Sequence, residues 1–316
     1  DHRDLHSFPT RRSSDLLRAY RWVAHSAERL AVSVTPIESA RTVVEAFDDA
    51  NGLGTPGQNI IAADTDGHIG WSIYGSIPRR VGFDGRTPVS WSDGSRGWDG
   101  WLADAEYPRI IDPPDGRIWT ANARVVNGDM LAKLGDGSYE IGSRAHVIRD
   151  RLLSRRSFTI RELLDIQLDT RAEFLARWRT LVLDTLDTAA TSANNERAAF
   201  REIVDKGWSG YADPDSTAYR LVRVFRETVS ARVIAFVLSE CYEADPSFNY
   251  TSVRRREAAI WQLVTTQPQH LLDTRYRTWS ELLLASVDDT IKQSMADRGG
   301  DLRDRVWSEY NVVAYR

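Results

Sequence analysis

The stretch GRIWTANARVVNG, residues 116–128, places a side-chain amide, Asn122, and a guanidinium, Arg124, directly after the apolar pair Ile118 and Trp119, with no turn signal between them. Such donors at the end of a buried-looking strand raise the question of what they serve. Spacing alone favours a turn or strand-end asparagine that bonds its own backbone.

The other chemistry-bearing residues form no complete set. None of the 6 histidines has a partner at the His-Glu-x-x-His spacing of a zinc protease, and His25, His68, His146 and His270 are scattered. No Gly-x-Ser-x-Gly elbow is present, and the nearest look-alike, DGSRG at 93–97, has no apolar strand leading into it. The single cysteine, Cys241, lies in RVIAFVLSECYEA, where helical apolar spacing predicts a core position rather than a nucleophile. DTDG at 64–67 opens like a calcium loop but lacks the third acidic position and the distal glutamate, so it reads as a hairpin turn. Trp71, Trp91, Trp98, Trp101 and Trp119 read as core and loop packing, with an aromatic ligand pocket as the other use for them. By spacing alone the sequence is a soluble α+β protein without a complete catalytic set.

The elements that must position these residues follow from periodicity. LLRAYRWVAHSAERL carries apolar residues at three- and four-residue spacing and predicts a helix; a second follows at TVVEAFDDANG, with Thr42 and Glu45 at capping-box spacing and Asn51-Gly52 as its stop. Between residues 57 and 125, QNIIAAD, HIGWSIYG and GRIWTANARVV are short β-prone runs separated by turn chemistry, and IIAADTDGHIGWSIYG is the clearest hairpin. From Arg144 the helical period returns. Thr159 and Glu162 form another capping pair, and Leu163, Ile166, Leu168, Phe174, Leu175, Trp178, Val182 and Leu186 make one broad stripe. Further helices are predicted around 216–243, 252–265 and 279–296, and RVWSEYNVVAYR at the end reads as a strand. Helices, then strands, then a long helical block argue α+β rather than alternating βαβ units.

Composition narrows the partners. The 316 residues are 42% hydrophobic and 27% charged, with 41 basic and 45 acidic residues and a net charge of -4, which gives no basic field for nucleic acid. One cysteine excludes a disulfide framework, and no apolar run approaches the ~18 residues of a membrane span. Residues 1–16, DHRDLHSFPTRRSSDL, have no signal-peptide pattern and resemble translated adapter read-through; they are set aside as non-native. The expected organisation is a helical segment over 17–52, a β-rich catalytic-core segment over 53–150 and a mainly helical segment over 151–316, with both ends of the chain reading as cut.

Taken in order, NIIAADTDGHIGWSIYGSIPRR (59–80), WDGWLADAEYPRIIDPPDGRIWTANARVV (98–126) and LGDGSYEIGSRAHVIRDRL (134–152) resemble the β chain of the penicillin acylase family of N-terminal nucleophile hydrolases. The likeness continues from IQLDTRAEFLARW (166–178) to RVWSEYN (305–311). It implies part of an αββα sandwich, with an antiparallel sheet segment and a large helical block. It also implies a precursor that cuts itself to expose a serine whose own α-amine acts as base. In the family, the first asparagine of an Asn-Asn-Arg-like motif donates to the oxyanion. That position is Asn122, and an arginine in a Gly-x-Arg context falls on Arg144.

The resemblance has two departures. The motif's second asparagine is Ala123 here, and no serine present matches the nucleophile, which the family places upstream with the α chain. The expectation is therefore an amide hydrolase acting on an acyl side chain of a β-lactam or acyl-homoserine-lactone type amide, inactive as this chain alone. Its partners would be the small amide substrate and the remaining α-chain and β-chain parts of the same precursor, and its place periplasmic or secreted. A non-catalytic ligand-binding relative of the same fold is the alternative, hinted at by Ala123; an unrelated aromatic-rich ligand-binding domain is a further one. No cofactor is implied for catalysis. Family members often hold one structural calcium, whose ligands do not transfer cleanly onto Asp129 or Asp136.

Overall fold

The computed structural model describes residues 19–30, 34–135, 139–248, 256–296 and 300–312. The chain divides into two compact units, residues 1–158 and 159–316. The first holds all the short sheets and the second is helical, an α+β composition.

In the first unit, helix α1 (Thr35–Ser39) precedes α2 (Val43–Asn51), which begins where expected because Thr42 Oγ1 accepts from Glu45 N. The carboxylate of Glu45 accepts in turn from Arg41 N at 2.8 Å, one residue before the usual reciprocal partner. Strands β1 (Gln58–Ala63) and β2 (Ile69–Tyr74) form the expected antiparallel hairpin, in register from Gln58 opposite Tyr74 to Ala63 opposite Ile69. Its turn is built by Asp64, which accepts from Asp66 N and His68 N, with Gly67 at φ 92°.

β2 is buried along both faces, unlike its exposed neighbour β1. Helix α2 lies so close over it that a Cβ on Gly70 would come within 2.6 Å of Phe47 and Val43, so only glycine fits there. On the other face Trp71, Ile73, Ile77 and Tyr107 form the core, with Ile118, Val125 and Val126 packed against it. Burial pushes the Tyr107 phenol up to about 12, consistent with a hydroxyl that donates to Gly75 O and accepts from Ile77 N. Strands β3 (Pro78–Val81) and β4 (Gly97–Trp101) pair separately, and β5 (Ile110–Ile111) joins β2.

Two sequence expectations fail in this unit. LLRAYRWVAHSAERL is no continuous helix: its described part makes two 3-10 turns, Val23–His25 and Ala27–Arg29, with Trp22 and Ser26 in extended conformation. Here Arg21 lies over Trp98 at 4.7 Å and Arg29 over Trp101 at 5.1 Å, so contacts with β4 outweigh the local period. The run GRIWTANARVV is not a strand either. Residues 117–126 form no strand, with a bend at 121–123, and Ile118, Val125 and Val126 pack against the core without a ladder. Helices α3 (Gly128–Leu134) and α4 (Ser143–Leu153) complete the unit. Asp129 is exposed in the first turn of α3, and Asp136 lies outside the described residues.

The second unit opens with α5 (Ile160–Gln167), whose capping box is the one expected: Thr159 Oγ1 accepts from Glu162 N, and the Glu162 carboxylate accepts from Thr159 N. The broad stripe does not continue in one helix. Ala172 N donates to Gly210 O and Ala212 N to Thr170 O, so the backbone of 170–172 pairs with 210–212 and α6 (Glu173–Thr185) starts afresh. Ile166, Leu175, Trp178, Val182 and Leu186 are buried as expected, but the break leaves Leu163 and Leu168 exposed.

Helices α7 (Thr188–Ser192), α8 (Asn195–Lys206), α9 (Thr217–Val237), α10 (Ser239–Ala244), α11 (Glu257–Thr266) and α12 (Trp279–Met295) follow, with α9 the most deeply buried. Cys241 is exposed rather than in the core, because α9 ends at Val237 and α10 restarts the helical phase at Ser239. The expected terminal strand is a helical turn, α13 (Trp307–Tyr310), whose Trp307 ring meets Tyr219 of α9 edge-on; residues 313–316 lie outside the described part. Among the described residues no helix is long and apolar enough to cross a membrane.

Candidate functional site

Asn122 sits on a bend with φ 59°, one of three non-glycine residues in the left-handed region among those described. Asparagine tolerates that conformation better than most residues because its short polar side chain can bond locally. Glu140 N donates to Asn122 O at 2.9 Å, tying the bend to the residues that lead into α4. Ala123 is buried and turns its methyl inward, while Asn122 and Arg124 on either side are exposed. A left-handed residue therefore reverses the direction of the side chains at the end of an apolar run.

Arg144 is the second residue of α4, whose N-cap, Gly142, offers no side-chain cap. A cation in a helix's first turn opposes the helix dipole, so this position does not serve the helix. Its Nη2 donates to Asn122 Oδ1 at 2.8 Å and, more weakly, to Ala121 O at 3.4 Å. The structure thus brings together the two residues the sequence singles out, 22 positions apart. The contact fixes the amide's orientation. A guanidinium has donors and no acceptor, so the oxygen of Asn122 must face it and Nδ2, with its two hydrogens, must point elsewhere. The arrangement presents an oriented donor backed by a permanent positive charge.

Arg124, the guanidinium that follows Asn122 in the opening motif, is exposed. What sequence reasoning could not find here is backbone: the Glu140 amide and the left-handed turn carry no residue-type signature, although an asparagine flanked by small residues is compatible with such a turn. Arg117, also in the motif, donates to Leu152 O at 3.3 Å and to Arg155 O at 3.4 Å, fastening the motif's start to the end of α4.

Comparison with known proteins places the chain in a family. The penicillin amidase family model matches residues 6–316. A penicillin acylase 2 proenzyme from a Pseudomonas species (strain SE83) is 26% identical over 276 residues, 87% of this chain and 34% of that protein. The acyl-homoserine lactone acylase QuiP of Pseudomonas aeruginosa is 29% identical over 163 residues, 52% of this chain and 19% of that protein. The chain therefore spans about a third or less of the length of these relatives. Among solved structures, a thermostable penicillin G acylase from Alcaligenes faecalis superposes with a TM-score of 0.59 over 84% of this chain and 51% of that one, at 18% identity. At that identity the likeness speaks for the fold alone, an α+β architecture shared with that acylase. With a family model matched over nearly its whole length, the chain belongs to the penicillin amidase family.

Proposed function

We propose that these residues form part of an acylase-like amide hydrolase in which Asn122 Nδ2 donates to the oxyanion of the tetrahedral intermediate and Arg144 holds that amide in register. The observation that carries this reading is the 2.8 Å bond from Arg144 Nη2 to Asn122 Oδ1, which commits the amide's oxygen and turns its donor outward. When an acyl carbon goes from trigonal to tetrahedral, negative charge grows on its oxygen. A donor already oriented meets that charge without reorganising, and losing one such side-chain donor costs about 3 kcal/mol in the barrier.

The nucleophile of this reading is a serine activated by its own α-amine, which calls for no metal or cofactor in the chemical step. No serine of this chain matches that position in the family pattern, so the 316 residues alone are expected to be inert until joined to the rest of the precursor. The relatives' names supply the substrate class: an amide between an acyl group and the amine of a β-lactam nucleus or a homoserine lactone. We place the enzyme in the periplasm or outside the cell, where such amides are met.

The test is turnover of a chromogenic phenylacetyl or fatty-acyl amide by the complete enzyme and its Asn122→Ala variant. Near-wild-type turnover in the variant would sink the oxyanion assignment.

A further inference from the structure

Helix α4 is bound by a guanidinium at each end, and only one of the two suits the helix. Arg144 stands in its first turn, against the dipole. At the far end the half-buried Arg117 donates from Nε to Leu152 O at 3.3 Å and from Nη2 to Arg155 O at 3.4 Å and to Arg156 O; its Nη1 donates to Gly116 O at 2.8 Å. Leu152 O is one of the last carbonyls of α4, which find no partner inside the helix, and a positive charge there is favourable. The same guanidinium lies over the Phe158 ring at 5.8 Å.

No residue of α4 is fully buried, so its place depends on the bonds at its ends. Both bonds lead to one short stretch of chain. Arg144 Nη2 reaches Ala121 O and Asn122 Oδ1, and Arg117 stands just before them in the same motif. The contacts close a ring: backbone from Arg117 to Asn122, a hydrogen bond to Arg144, the helix to Leu152, and a hydrogen bond back to Arg117. Its two long sides are compatible, since the helix from Arg144 to Leu152 rises about 12 Å and the chain from Arg117 to Asn122 can reach at most about 18 Å. The segment 117–122 therefore runs back along α4 from its C-terminal end to its N-terminal end, and a slide of the helix changes the separation of Arg144 and Asn122.

We propose that Arg117 is a positioning residue for the Asn122–Arg144 pair: it fixes where α4 sits along the motif, and with it the point from which Arg144 meets the amide. The hydrogen-bonded helix is stiff along its axis, so a restraint at Leu152 is felt at Arg144. Glu140 N, which donates to Asn122 O, belongs to the residues leading into the same helix, so both contacts on Asn122 move with it. The inference concerns the geometry of the pair; its catalytic consequence rests on the oxyanion reading above.

The test is a double-mutant cycle read by NMR on the 316-residue chain, which needs no activity. Arg117→Met keeps an apolar stem and removes every donor. The Asn122 side-chain amide resonances are expected to move, and the Glu140 amide to exchange about threefold faster, part of the roughly tenfold that one lost hydrogen bond gives. Arg117→Lys, which leaves a charge and a point donor at the helix end, is expected to recover part of both effects. In an Arg144→Met background the link to Asn122 is already cut, so adding Arg117→Met is expected to leave the Asn122 resonances in place. Unmoved resonances in a folded Arg117→Met chain overturn the proposal. So does an equal displacement in both backgrounds, because the effect would then bypass the helix.

Should Arg117→Met fail to fold, Arg117→Lys carries the same cycle: a displacement that vanishes in the Arg144→Met background supports the proposal, and an equal displacement or none overturns it. The two readings separate cleanly. Normal turnover in Asn122→Ala together with a displacement that depends on Arg144 refutes the oxyanion role and leaves the positioning intact.

Discussion

The two units each aim a guanidinium at a side-chain oxygen, with opposite results. In the second, Glu257 is 3% exposed and receives Arg226 Nη2 at 2.6 Å, Arg177 Nη2 at 2.7 Å and Trp178 Nε1 at 2.8 Å, tying α6, α9 and α11 together inside the core. In the first, Arg144 and Asn122 meet at the surface, on a bend and a helix start. A buried charge must be saturated with partners because nothing else solvates it. An exposed amide needs no partner for stability, so holding it by one atom leaves the other available. Saturation marks a structural role; in the function proposed above, the half-committed amide is the group kept for another molecule.

The largest way to break that contrast is Glu257→Ala, which strands Arg226, a residue 12% exposed at its side chain, in the core. A loss of about 3–5 kcal/mol is expected, read as a lowered denaturant midpoint. A change below about 1 kcal/mol would remove the structural reading of this cluster.

Next in size is Asn122→Ala in the complete enzyme, expected to cut kcat about 100- to 1000-fold. Because alanine fits φ 59° poorly, Asn122→Gly is the control: it frees the backbone and still lacks the donor. Equal losses in the two variants assign the effect to the amide; recovery in Asn122→Gly assigns it to the turn. Arg144→Lys retains charge but loses the planar fork, and a drop of about tenfold in kcat with little change in midpoint is expected.

A smaller effect concerns pH. Burial alone would raise the Glu257 carboxyl, but the bonds from Arg226, Trp178 and Arg177 outweigh it and hold the group below its ordinary 4.5. Since the folded value lies below the unfolded one, the stabilisation is complete above the ordinary value and is lost as pH falls through the folded value. Denaturant midpoints measured from pH about 6 down to about 3 should fall more steeply in the wild type than in Glu257→Gln. Parallel slopes would show that this carboxylate does not govern the acid limb.

The smallest expected effect is at Cys241. Being exposed, its thiol should react with a disulfide reagent without denaturant, and Cys241→Ser should shift stability by less than about 0.5 kcal/mol.

Much of the scaffold is legible wherever local chemistry decides. Thr42 and Thr159 start their helices as capping residues should, Asp64 and Gly67 make the hairpin turn, and the helix breaks at 205–216 and 265–269 fall where their glycines and prolines stand. The misreadings share one cause. The 3-10 turns at 23–29, the interruption at 170–172, the exposure of Cys241 and the terminal helical turn are set by contacts between residues far apart in sequence or by helix restarts, which no periodicity encodes.

The sequence by itself determined which residue types are available for chemistry: one amide and one guanidinium in motifs that resemble those of a family, with a single cysteine and so no disulfide framework beside them. It also determined the α+β order, because hydrophobic period and turn residues are local properties. Only the tertiary structure decided that Asn122 occupies a left-handed bend rather than a strand end, and that its oxygen, not its nitrogen, faces Arg144. The reason is physical: the direction of an amide is set by whichever donor reaches it, and that donor comes from a helix 22 residues away.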